Sequence, residues 1–274
     1  MQGRISPPPP GRLQAFPWAT WEGEFSRARA LGFDFIEWIF EDERHEENPL
    51  FSKAGRRRIT ELAGEHGVQV ASVCADYFMP HPFFRVSSGD RQYSIDMLRS
   101  LIESCAEIGA TLILVPVLEV SAIREEREVD ELAEALTACL PAAHAAKVRL
   151  GLETELPVAQ YAGLIERIGN EAVGAYYDIG NAASQGYDCA SDIRTLGASI
   201  YGLHIKDRVR DGVSVPLGQG AADFPSIFNA LHDISYRGRG VLQTAFGPDY
   251  MAFARTHLRF VEELIALATA RASK

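Results

Sequence analysis

Short apolar runs alternate with helix-length amphipathic segments along nearly the whole chain, and no other feature restricts its fold as sharply. The runs fall at residues 13–16, 35–38, 68–74, 112–115, 148–152, 174–177, 201–205 and 240–244. Between them apolar residues recur at three- and four-residue spacing, as helices that bury one face require. Ile95, Leu98, Leu101, Ile102, Cys105 and Ile108 form one such stripe; Val129, Leu132, Leu136, Cys139 and Leu140 form another; Leu258, Val261, Leu264 and Ile265 form the last. Strands that alternate with helices make a parallel sheet with right-handed crossovers. Eight such units predict closure into a single (β/α)8 TIM barrel, one α/β domain spanning residues 1–274. An open doubly wound sheet is the competing arrangement, but no G-x-G-x-x-G follows the first run.

Local signals agree. Gly32 and Gly67 follow helical stretches, where a helix C-cap favours glycine. Asp223 precedes Phe224-Pro225 and is placed to cap a helix with proline in its first turn. Residues 7–10 are four prolines, a stiff segment within the first loop. The charged stretch 41–49 and the stretch 79–90 follow the second and third runs, so they read as long loops over the face of the barrel where substrates bind.

The net charge of −10 and a pI near 5.2 argue against a nucleic-acid or anionic-membrane surface, which needs a basic footprint. Cys74, Cys105, Cys139 and Cys189 are too far apart for a zinc motif of the C-x-x-C kind, and Cys105 and Cys139 lie on apolar helix faces as small core residues. The N-terminal stretch MQGRISPPPPGR lacks the apolar segment of a secretory signal, and no run approaches the roughly 18 apolar residues of a membrane span. A cytoplasmic location is the expectation. Whether the chain forms a homo-oligomer is left open.

Four polar residues stand near the ends of the last four runs: Glu153 in VRLGLETE, Asp178 in GAYYDIGN, His204 in IYGLHIKD and Gln243 in GVLQTAF. In a closed barrel these ends are neighbours, so the four converge without being close in sequence. Two carboxylates, one imidazole and one amide carbonyl suit a single divalent cation (Mn²⁺, Mg²⁺, Co²⁺ or Zn²⁺) with positions left for substrate oxygens. Each has an ordinary structural reading: Asp before Gly-Asn as a turn residue, His as a bonded core residue, Gln as a strand residue. Their occurrence at four consecutive strand ends favours the metal. By position alone, Glu37, Asp76 and His81 are further candidates for the substrate pocket, and Glu155 either shares the face of Glu153 or begins the loop.

The stretches GLETELP, YYDIGN, HIKDR and VPLGQGAADFPSIFNAL, with FDFIEWIFE near the start, resemble the xylose isomerase-like TIM-barrel family. More narrowly they resemble its sugar-phosphate isomerase/epimerase branch, which includes the L-ribulose-5-phosphate 3-epimerases. The resemblance runs from about Gln14 to about Leu267. It implies Glu153 as both metal ligand and acid/base residue, Asp178 and His204 as ligands, and Asn181 as a substrate contact. Lys206, Arg208 and Arg210 match more loosely as groups that hold a substrate hydroxyl or phosphate. Gln243 falls where the family places a second glutamate.

That departure bears on the chemistry. A dication polarises a carbonyl and an adjacent hydroxyl and so stabilises an enediolate, while a carboxylate removes the neighbouring C–H proton. Epimerisation needs a proton-transfer group on each face of the planar intermediate, and an amide has no useful proton affinity. The leading expectation is a metal-dependent isomerase or epimerase acting on a sugar or sugar phosphate, either with Glu37, Asp76 or His81 as a second base or with Glu153 alone in a single-face aldose–ketose isomerisation. The alternatives are a dehydratase or lyase using Glu153 as sole base, and a sugar-binding protein without turnover. Apurinic endonucleases share the superfamily, but their sites are histidine-rich, and this chain has seven histidines in all.

Overall fold

The protein is described from a computed structural model covering residues 1–272 except 3, 4, 8–11 and 13. The elements run α1 (Trp21–Leu31), β1 (Phe35–Ile39), α2 (Lys53–His66), β2 (Gln69–Cys74), α3 (Ser88–Ile108), β3 (Leu112–Val117), α4 (Glu126–Ala146), β4 (Arg149–Thr154), α5 (Val158–Ile168), β5 (Val173–Asp178), α6 (Ile179–Gln185), α7 (Cys189–Leu196), β6 (Ile200–Ile205), β7 (Asp207–Arg208), β8 (Ser214–Val215), α8 (Phe224–Asp233), β9 (Arg239–Leu242) and α9 (Tyr250–Ala272). Seven strands form one parallel sheet in the order β1-β2-β3-β4-β5-β6-β9, and β7 and β8 form a separate antiparallel hairpin. The sheet order never reverses, as it would in a doubly wound sheet. This is a nearly closed TIM barrel.

The remaining gap, between β9 and β1, is bridged by the first two residues. The Glu37 N–H donates to the Met1 carbonyl at 2.9 Å, and the Gln2 N–H donates to the Leu242 carbonyl at 3.1 Å. The strand expected at 13–16 is therefore a correction. Leu13 lies outside the described residues, as do Pro8–Pro10 of the proline segment, and Gln14, Ala15 and Phe16 are not strand. Phe16 is buried against Trp18 and Trp38, with ring centroids 4.8 and 4.9 Å apart. That packing explains why the run is apolar. Residues 1–2 escape a hydrophobicity reading because Gln2 is polar, yet it is fully buried and bonded inside the barrel.

The helices sit where the stripes place them. All six α3 stripe residues are buried, each contributing about 2 kcal/mol of apolar burial. On α9, Val261 and Leu264 are buried but Ile265 is 52% exposed, so that stripe is narrower than its sequence suggests. Gly32 and Gly67 adopt left-handed C-caps, and the Asp223 side chain accepts from the Ser226 N–H. Inside the barrel Tyr176 packs with Cys74, Leu112 and Leu114. Its ring fits because β4 and β6 present Gly151 and Gly202 on either side. A Cβ at Gly202 would lie 2.6 Å from Tyr176 Cε2, and one at Gly151 would lie 3.1 Å from Tyr176 Cβ. The four cysteines are buried and free. Among the described residues, no helix is long and apolar enough to cross a membrane.

Candidate metal centre

Parallel pairing of β4, β5 and β6 brings the ends of consecutive strands to one level, with Asp178 directly opposite His204 in register. Glu153, Asp178 and His204 thus present donor atoms that all lie within 4.8 Å of one another. His204 Nδ1 stands 3.5 Å from Asp178 Oδ2 and 3.9 Å from Glu153 Oε2. Both His204 Nδ1 and Asp178 Oδ2 are buried without a hydrogen-bond partner. Lys206 Nζ approaches that oxygen at 2.7 Å as an ion pair, outside hydrogen-bond alignment. An unpaired buried polar atom costs about 1–3 kcal/mol, so His204 Nδ1, aimed at two carboxylates, points to a missing partner. The donor chemistry fits a divalent cation.

The imidazole is held from behind. Its Nε2 lies 2.7 Å from Glu37 Oε1, so a neutral ring that donates there turns its Nδ1 lone pair toward the centre. Glu37 also accepts from Gln2 Nε2 at 3.0 Å, Ser72 Oγ at 2.7 Å and the Tyr176 hydroxyl at 2.6 Å. Burial raises the Glu37 carboxyl pKa, but the His204 charge and these donors outweigh it and hold the group below the ordinary range. Its side chain has no exposed area. Glu37 therefore braces His204 from inside the barrel and does not line the pocket expected from its strand-end position.

The three inner residues titrate apart. Burial, then the neighbouring Asp178 carboxylate, pushes Glu153 up to about 8. For Asp178 burial acts upward too, but Lys206 and His204 reverse it and hold the carboxyl well below its usual range. Burial lowers His204, yet Glu37 and Asp178 raise it to about 10. Two carboxyls side by side are thus held at opposite ends of the carboxylate range.

Gln243 is set by its neighbours. Its Nε2 donates to Gln2 Oε1 and to Gln14 Oε1, both at 2.8 Å. With both N–H groups used, Oε1 accepts from Lys206 Nζ at 2.8 Å, the same ammonium that pairs with Asp178 Oδ2 at 2.7 Å.

A cavity of about 760 Å³ opens above these residues. Glu153, Asn181, Lys206, Arg208 and Asp76 are on its wall. Asn181 joins three of the groups: its N–H donates to Asp178 Oδ1 at 2.8 Å, its Nδ2 to Glu153 Oε1 at 2.9 Å, and its Oδ1 accepts from Arg208 Nη1 at 2.8 Å. His81 and Arg210 are elsewhere. His81 bonds Asp42 at 2.8 Å and stacks on Tyr77 at 4.5 Å, and the Arg210 guanidinium lies against Gly186. Neither is on the cavity wall.

Three residues absent from the sequence candidates complete the site. Gln2 and Gln14 orient Gln243. The third is Asp207, fully buried, which accepts the N–H groups of Arg208, Gly218, Gly220 and Ala222 at 2.8–3.2 Å. It folds the loop that carries Arg208 over the cavity. A Cβ on Gly220 would come within 2.2 Å of Asp207 Oδ1, so the H-x-K-D and G-x-G stretches are two halves of one turn. That pairing was the available signal for Asp207.

Residues 25–263 match the family model described as xylose isomerase-like TIM barrel. An L-ribulose-5-phosphate 3-epimerase, UlaE, of Shigella flexneri serotype 5b (strain 8401) is 25% identical over 227 residues, covering 80% of each chain. Among solved structures, an L-ribulose 3-epimerase superposes with a TM-score of 0.78 at 19% identity, covering 95% of this chain and 93% of that one. The IOLI protein with a bound zinc atom superposes with a TM-score of 0.75 at 16% identity, over 93% and 95%.

Proposed function

The chain belongs to the xylose isomerase-like TIM-barrel family, and from that premise we propose that it is a metal-dependent ketose epimerase. Glu153, Asp178, His204 and the Gln243 carbonyl would hold one divalent ion, of the Mn²⁺, Mg²⁺, Co²⁺ or Zn²⁺ class. Such an ion, when bound, polarises a carbonyl and its neighbouring hydroxyl and offsets negative charge as it develops on their oxygens. Glu153 takes the proton from the carbon beside that carbonyl, the bonding electrons move onto the carbonyl oxygen, and an enediolate results. Asn181, bonded to Glu153 and Arg208 at once, fixes the base and the outer contact in one frame. The observation that carries this reading is the buried convergence of His204 Nδ1, which has no hydrogen-bond partner, with Asp178 Oδ2 and Glu153 Oε2.

The charge of the cavity supports a free sugar over a phosphorylated one. Glu41, Asp42, Glu43, Glu119 and Asp211 also line the cavity. Of the lining cations, Arg12 is paired with both Glu41 and Glu43, and Lys206 with Asp178. Arg208 alone lacks a carboxylate partner among the described residues. A phosphate dianion entering such a mouth meets a repulsive potential that an uncharged ketose avoids.

Purified protein reconstituted with each of the four metals and incubated with free ketoses in D₂O should incorporate solvent deuterium beside the carbonyl. Glu153→Gln should abolish incorporation. Protein that exchanges no proton with any metal sinks the reading. L-ribulose should exceed L-ribulose 5-phosphate in kcat/KM by about tenfold or more, a difference of about 1.4 kcal/mol. The amide at 243 favours a second reading, a single-base isomerase or dehydratase, and NMR of the products separates that from epimerisation.

A further inference from the structure

Resting on that reading, we propose that Asp76 is the second acid/base residue, giving the enediolate its proton from the face opposite Glu153. The carboxylate absent at position 243 is found at position 76, joined to it through Gln14. Gln14 Nε2 donates to Asp76 Oδ2 at 2.5 Å, and Gln14 Oε1 accepts from Gln243 Nε2 at 2.8 Å. Asp76 Oδ1 accepts from the Cys74 thiol at 3.2 Å. Asp76 stands just past the end of β2, half-buried, on the wall of the cavity that Glu153 also lines.

The polarity of Gln14 ties positions 76 and 243 together. One end of its amide donates and the other accepts. An ionised carboxylate at 76 takes the donor end, which leaves the acceptor end for a residue that can donate. Gln243 can and a glutamate cannot. A carboxylate at one position thus calls for an amide at the other.

Asp76 and Glu153 stand on different staves, β2 and β4, with β3 between them. Both carboxyls line the one cavity, and the Asp76–Gln14–Gln243 chain runs from the end of β2 to the residue after β9. The other sequence candidates are placed differently, since Glu37 is sealed beneath His204 and His81 is engaged with Asp42. No cation pairs with Asp76 among the described residues. Burial raises its pKa despite the thiol and amide donors, which favours a carboxyl able to carry a proton.

The step balances. Glu153 carboxylate accepts the proton from the substrate carbon, and the C–H electrons pass to the carbonyl oxygen. Protonated Asp76 delivers its proton to the opposite face of that carbon as the electrons return. The product is the epimer, with Glu153 protonated and Asp76 ionised, and exchange with water resets both.

The test uses L-ribulose and D-fructose in D₂O, following deuterium incorporation into unreacted sugar and formation of epimer as separate signals. In Asp76→Asn, epimer formation should fall at least about 100-fold while incorporation from the Glu153 face persists. In the double variant Asp76→Asn/Gln243→Glu the amide polarity reverses, and epimer formation should return. Unchanged epimerisation in Asp76→Asn overturns the proposal. So does joint loss of both signals that Gln243→Glu does not restore, whereas joint loss that it does restore supports the assignment. If the unmodified protein shows neither signal, the epimerase reading fails first and Asp76 loses its role with it.

Discussion

Glu37 shows how one buried charge is kept by the residues it controls. Its two oxygens accept four hydrogen bonds, enough to offset the burial of a carboxylate, and one of the four donors is the imidazole that faces the ligand group. Replacing it with glutamine keeps the volume and leaves an amide oxygen able to accept from His204 Nε2, but removes the charge. The ring then loses the carboxylate that raises its basicity as a ligand. Glu37→Gln is expected to weaken Mn²⁺ or Zn²⁺ binding about 10–100-fold with little change in far-UV circular dichroism, as a metal competition titration would read. Retained affinity would mean that the Glu37–His204 contact is structural alone.

Among the elements, the loop joining β7, β8 and α8 depends on one side chain. Asp207 collects four loop N–H groups, and Asp207→Ala leaves them to find water. Each unmet group costs about 1–3 kcal/mol where it stays buried, so the loop should open locally before the barrel does. The expected result is faster proteolysis within 209–222 and a raised KM with a smaller change in kcat, because Arg208 is on this loop and Glu153 is not. The interior strands respond differently. A methyl at Gly202 has nowhere to go, since Tyr176 is packed on both sides and tied to Glu37. Gly202→Ala should cost about 1–3 kcal/mol of overpacking, seen as a lower urea midpoint with an unchanged m-value. Neither dependence is visible in a window of sequence. The helices were legible because their apolar stripes report burial directly. The first stave of the barrel was not, because its inward residue, Gln2, is polar for the sake of Glu37 and Gln243, partners 35 and 241 residues away.

At the scale of the whole molecule, the candidate site links side chains from strands that already share backbone ladders and the packing around Tyr176. Glu153, Asp178 and His204 were legible as a group because sheet order follows chain order, so consecutive strand ends become spatial neighbours. Gln14 was not legible as part of the site, since its role depends on Asp76 and Gln243 meeting across a closed barrel. An ion held by β4, β5, β6 and the residue after β9 would staple roughly half the circumference. It would bind the folded barrel and find no such site in the unfolded chain. Linkage then requires stabilisation by about 2.7 kcal/mol when free metal stands at 100 times its dissociation constant. Urea unfolding in excess Mn²⁺ should therefore show a higher midpoint than in EDTA, and the increment should grow with the logarithm of metal concentration. His204→Ala and Asp178→Asn should each abolish that increment, while Arg208→Ala, outside the ligand group, should preserve it. Equal midpoints with and without metal for the unmodified protein, across Mn²⁺, Mg²⁺, Co²⁺ and Zn²⁺, would remove the ion from the fold and from the chemistry together. An increment that survives in His204→Ala would instead move the ion to a different set of ligands.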